Sequence, residues 1–155
     1  MGGKDQELYL IKRAVSGEKE ALEELLKRNY RIVKGYLLKT TCNYNLTEDL
    51  TQETMYRAIK NIKSYKPVGK FSTWLITIAS NIYRDQLRKR GKEILHNDFT
   101  SDLQYNFDKL DLAFETKEKV LQLQNILVEL PFEKKAVIIL KHYYGYSCQE
   151  IALNQ

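Results

Sequence analysis

The sequence predicts an all-α protein, and three observations carry that expectation. Apolar residues recur at helical spacing through most of the 155 residues. Glycine, proline and capping side chains fall between those runs, where helices start and stop. No stretch alternates cleanly between apolar and polar residues, and the two-residue hairpin signals are missing.

The elements follow in chain order. Leu8, Ile11, Ala14 and Val15 make a first stripe that ends at Gly17. A second helix runs from about Glu18 to Thr40, with Leu22, Leu25, Leu26, Ile32, Val33, Tyr36 and Leu37 on its apolar face. The break "CNYN" follows, and Asn45 or Thr47 is expected to cap the third helix. Glu48 and Asp49 suit its positive N-terminal end. On that helix Met55, Ala58, Ile59 and Ile62 share one face, and Asp49, Gln52, Glu53, Arg57 and Lys60 the other. Pro67 lacks an amide donor and Gly69 permits unusual backbone angles, so "SYKPVGK" breaks the pattern. Ser72 is expected to cap a fourth helix reaching about Arg90, with Leu75, Ile78, Ala79 and Ile82 facing the core.

Charge divides the chain more sharply than its total suggests. The net charge is +5 and the pI about 9.1. From Arg84 to Lys92 five bases face one acid, whereas from Glu93 to Glu118 seven acids face two bases. We therefore expect an N-terminal helical domain over 1–91, an acidic linker over 92–112 and a C-terminal helical piece over 113–155. That last piece holds a run from Val120 to Leu130, a run through "EKKAVIILKHYY", and a short helix that Ser147 begins and Glu150 completes as a capping box. A piece of about 40 residues rarely buries enough surface to fold alone. It is expected to need a partner or a continuation of its own.

Several function classes recede on composition. With 43% hydrophobic residues the chain is expected to fold. Cys42, Cys148, His96 and His142 lack metal-ligand spacing, so no metal or cofactor is expected. The N-terminus has no apolar signal core and no run reaches ~18 apolar residues, which points to a cytoplasmic protein without membrane insertion. The carboxylates of the third helix have no His, nucleophile or phosphate loop beside them, so no set of catalytic roles can be filled. A protein-binding face suits them better.

The fourth helix offers a nucleic-acid face. Thr77, Asn81, Arg84 and Arg88 share one side, and Lys89, Arg90 and Lys92 add charge at its end. Asn reads base edges and Arg contacts guanine or phosphate. The alternative is a solvated face whose cations complement the helix dipole. Ahead of it Tyr65 and Phe71 interleave with Lys63, Lys66 and Lys70, as single-stranded DNA would favour, although Phe71 and Trp74 equally suit a core.

The stretch "EDLTQETMYRAIKNIKSYKPVGKFSTWLITIASNIYRDQLRKR" resembles region 2 of bacterial extracytoplasmic-function, or group 4, sigma factors of the sigma-70 family. That family carries an acidic "DLTQETF-RA" helix, a loop, then "F-TWL--IA-N---D--R"; Met55 stands where the pattern has Phe. The stretch "LVELPFEKKAVIILKHYYGYSCQEIA" resembles the start of the family's region 4. By the resemblance, Ser147, Gln149 and Glu150 belong to a supporting helix of a helix-turn-helix, the recognition helix for the −35 element is missing after it, and Ile138, Ile139 and Ile151 are expected to be under-packed as a result. The expected fold is a region 2-like bundle, the acidic linker and an incomplete region 4-like domain.

The resemblance implies roles. The face holding Asp49, Leu50, Gln52, Glu53 and Arg57 would dock the clamp of the largest catalytic subunit of core RNA polymerase. Tyr65, Lys66, Lys70 and Phe71 in the loop, with Ser72, Thr73, Trp74, Thr77, Asn81, Arg84, Arg88, Lys89 and Arg90 on the helix, would recognise and melt the promoter −10 element. A non-template base would be flipped into a pocket at the loop and helix start. An anti-sigma protein becomes a candidate partner. Two other readings stay open on the residues: a polymerase-binding decoy or regulator, and a polymerase-independent nucleic-acid module.

Overall fold

Residues 2–90 and 129–153, with isolated positions between 122 and 126, are described in a computed structural model, which is all-helical over those residues. The expected linker over 92–112 and most of the run from Val120 to Leu130 lie outside them.

Helix α1 spans Gly3–Val15 and buries Ile11 and Ala14. It closes on Gly17, whose φ of 110° belongs to the left-handed side that favours glycine. The Glu18 amide bonds back to the Arg13 carbonyl at 3.1 Å. Helix α2 spans Lys19–Thr41 and buries Leu25, Val33, Tyr36 and Leu37 along one stripe. It ends where Cys42 turns left-handed (φ 55°) and its amide bonds to the Leu38 carbonyl at 2.9 Å.

Helix α3 spans Tyr44–Asn61, and its cap is Asn43 rather than Asn45 or Thr47. The Asn43 side chain accepts from the Leu46 amide at 3.0 Å. Its buried face is also rotated from the one expected: Thr47, Leu50, Thr51, Thr54 and Ala58 point inward, while Ile59 is 50% exposed. The reason lies in the threonines. Each hydroxyl donates to the carbonyl four residues back: Thr47 to Asn43 at 2.7 Å, Thr51 to Thr47 at 2.6 Å and Thr54 to Leu50 at 2.6 Å. With the hydroxyl satisfied, the methyl group packs as a small apolar surface. A single 3₁₀ turn, Ile62–Ser64, leads into the loop.

Helix α4 spans Phe71–Arg90. Ser72 lies inside its first turn and is not its cap; the Thr73 and Trp74 amides reach back to the Lys70 carbonyl. Phe71, Leu75, Ile76, Ala79, Ile82 and Tyr83 are buried against α2 and α3. Between α2 and α4, the Tyr36 and Ser80 hydroxyls bond at 2.7 Å in the buried core. Burial pushes the Tyr36 phenol up to about 12, against the pull of the Ser80 bond.

The C-terminal residues continue this core. Helix α5 spans Phe132–Ile138, a five-residue π-helical turn covers Ile139–Tyr143, and α6 spans Cys148–Leu153. The Ser147 hydroxyl caps α6 by accepting from the Glu150 amide at 3.2 Å. Ile139, Leu140, Tyr146 and Ile151 join the same apolar cluster as the bundle. Of the three isoleucines expected to be under-packed, only Ile138 is exposed. Among the described residues no helix is long and apolar enough to cross a membrane.

Candidate functional site

The outer side of α3 is charged because its inner side consumed the threonines and Leu50. Asp49, Gln52 and Arg57 are exposed and Glu53 is half-buried, with Arg57 Nε donating to Glu53 at 2.9 Å. Leu50 is different. It is 0% exposed, so it anchors α3 in the core and cannot touch a partner. Lys34 and Glu48 pair across α2 and α3, and that hydrogen bond holds the Glu48 carboxyl below its ordinary range. The pair fixes where the N-terminal turn of α3 sits. Beside the charged face opens an apolar groove of about 610 Å³, lined by Leu22, Leu26, Tyr30, Met55 and Ile59. Met55 and Ile59 share a helix face with the buried Ala58, so spacing alone does not separate groove from core.

At the start of α4, three aromatic rings organise the preceding loop. Tyr65 meets Phe71 edge-on at 5.4 Å and Trp74 at 4.9 Å, and Phe71 meets Trp74 at 5.4 Å. Tyr65 is buried and Phe71 is 0% exposed, so neither presents a free face for base stacking; Trp74 remains half-buried. The Tyr65 hydroxyl donates to the Gly69 carbonyl at 3.4 Å and draws the loop closed. Lys66 and Lys70 are left exposed on it. Val68 stands at its tip, 86% exposed, an apolar wedge that only the Pro67 and Gly69 flanks could have signalled.

Farther along α4 the candidate face is divided. Asn81, Arg88 and Lys89 are exposed, Ser72, Thr73 and Thr77 half-buried, and the helix continues through Arg90. The Thr77 hydroxyl donates to the Thr73 carbonyl at 2.8 Å. Arg88 lies 3.8 Å from Asp85. Arg84 is only 17% exposed at its side chain. Its guanidinium bonds both oxygens of Glu133, at 2.6 and 3.2 Å, and donates to Asn81 at 3.0 Å. In the C-terminal unit Ser147 and Gln149 are exposed and Glu150 half-buried. Among the described residues no group of three His, Cys, Asp or Glu is placed to hold a metal.

This arrangement of α2, α3, the loop and α4 coincides with a match of residues 25–93 to Sigma-70 region 2. Over those residues the chain is similar to sigma-70 family factors, and it is similar along most of its length to curated RNA polymerase sigma factors. It is 27% identical over 138 residues to RNA polymerase sigma factor YlaC of Bacillus subtilis (strain 168), covering 86% of this chain and 79% of that protein. It is 29% identical over 143 residues to RNA polymerase sigma factor CarQ of Myxococcus xanthus, covering 91% and 80%. The ECF RNA polymerase sigma-E factor of Haemophilus influenzae is 28% identical over 152 residues, covering 92% and 80%. The sigma region 2 match begins at Leu25, inside α2, and runs past Arg90, the last residue of α4. It thus takes in both candidate faces.

Proposed function

We propose that this sigma factor directs promoter-specific initiation by docking core RNA polymerase on the outer face of α3 and opening the −10 element with the loop and α4. The observation that carries the reading is the coincidence of the region 2 match with two separate outward faces, one charged and non-catalytic, the other ending in cations. Asp49, Gln52, Glu53 and Arg57 form the polymerase face, and the largest subunit's clamp is its target. Leu50 supports that face from behind. On the DNA side, Asn81, Arg84, Arg88 and Lys89 supply base-edge and phosphate contacts. Lys66 and Lys70 follow the backbone at the loop, and Val68 fits the part of a wedge that unstacks a base step.

Purified bacterial core polymerase, with and without this chain on the organism's genomic DNA, tests the reading by mapping new RNA 5′ ends. New starts that share an upstream −10 sequence are expected. No new starts, with core binding confirmed in the same tubes, would leave a polymerase-binding regulator instead. Asn81→Ala with Arg88→Ala is expected to keep core binding and abolish opening; retained opening would reduce the basic face to a solvated surface.

A further inference from the structure

Along the N-terminal half of α2, the apolar groove against α3 stays open among the described residues. Its floor is Leu22 and Leu26 from α2 with Met55 and Ile59 from α3, and Ile59 is 50% exposed. A channel between two helices is shaped to take a third, because helix ridges pack into helix grooves. Met55 is unbranched and flexible, so its side chain adapts to what enters.

The rim decides which helix fits. Glu23 and Lys27 flank the groove, four residues apart and both exposed, and pair with each other at 2.7 Å. An exposed pair of this kind is weak and exchanges partners readily. Around a two-fold axis level with their midpoint, a second α2 running antiparallel brings each Glu23 beside the other copy's Lys27. The same operation puts Leu22 and Leu26 of both copies in the middle. It also sets Lys19 of each copy near the Tyr30 ring of the other, at the two ends of the groove. Each α2 then lies between α2 and α3 of the other copy, and the four helices close into a bundle. A rim of one sign would call for a partner of the opposite sign. This rim carries opposite charges at positions that one symmetry operation exchanges, which is what a self-complementary surface requires.

We propose that the groove between α2 and α3 is a homodimer surface, in which a second copy of this chain seats its own α2 antiparallel. The contact spans about three turns of helix, which places it among small, reversible interfaces and not obligate ones. The net charge of +5 on each copy opposes association. Salt at about 0.15 M screens that repulsion beyond ~8 Å and leaves the apolar contact in place.

The test is sedimentation velocity of the full chain from about 1 to about 100 μM in about 0.15 M salt, with a dimer midpoint expected on the order of 10 μM. Ile59→Glu puts a carboxylate on the groove floor from an exposed position of α3 and is expected to weaken association about tenfold or more. Glu23→Lys and Lys27→Glu each set like charges together when identical copies pair, and each is expected to associate about fivefold less. Mixed in equal amounts, the two variants are expected to form a heterodimer about tenfold tighter than either forms with itself. Circular dichroism checks that each variant keeps its helix content. Glu23 and Lys27 are exposed, so the mixing experiment stands even if Ile59→Glu unfolds the chain. A chain that stays monomeric to the top of the range overturns the dimer. A native dimer that Ile59→Glu leaves intact overturns it too, since the contact then lies elsewhere, as does a mixture that gains nothing over its components. A monomer whose capture by core polymerase falls with Ile59→Glu assigns the groove to the polymerase and overturns the dimer as well.

Discussion

Helices α3 and α4 lie side by side in the bundle, yet they present their candidate faces differently. The outer face of α3 is charged and open, with its ion pairs formed between neighbours on the same helix or across to α2. The outer face of α4 is shared with a segment 49 residues away in sequence, through Arg84 and Glu133. An open face keeps its charges in water, whereas a shared face has its cation already paired within the fold.

The largest expected effect separates support from contact on α3. Leu50→Ala removes a fully buried side chain and is expected to cost about 2–5 kcal/mol of stability, read as a lower urea midpoint. A stability near that of the native chain would mean that Leu50 is not the anchor the packing makes it. Next, reversing Asp49 and Glu53 to lysine is expected to weaken core-polymerase binding about tenfold while leaving the thermal midpoint within a few degrees. Unchanged affinity in a pull-down titration would remove α3 from the interface and with it the contrast between the two faces.

Smaller effects probe the joint between α2 and α4. Tyr36→Phe deletes the bond to Ser80 and strands a buried hydroxyl, at an expected cost of about 1 kcal/mol in denaturant unfolding. The same group also sets a pH dependence. The Tyr36 phenol is held up to about 12, so between about 10 and 12 the unfolded chain loses a proton that the folded chain keeps. The unfolded state then binds fewer protons, and stability falls as pH rises through that window. Burial raises Tyr83 and Tyr144 as well and adds to the slope. Urea midpoints measured through the alkaline range should decline, with a shallower slope in Tyr36→Phe; an equal slope in both chains would assign the effect to the other tyrosines.

Much of this was legible in the residues alone. Helical spacing locates α1 to α4 to within a few residues, and the motifs around "DLTQET" and "FSTWL" carry the resemblance to sigma factors. The charged outer face of α3 and the Ser147 cap are local properties, set by residues three or four apart, so a linear pattern records them. Thr47, Thr51 and Thr54 show where such reading stops. A threonine counts as polar in any hydropathy pattern, but one bonded to the carbonyl a turn behind it packs like valine, and three of these turned the buried face of α3 away from Ile59. Only the tertiary structure could place Phe132, Glu133 and Lys135 on α2 and α4, because an ion pair or ring contact between segments so far apart leaves no periodic trace. The sequence by itself determined the helices, their charged surfaces and the likeness to sigma factors. The fold decided which of those surfaces is open, since that depends on long-range burial and not on any residue's neighbours in the chain.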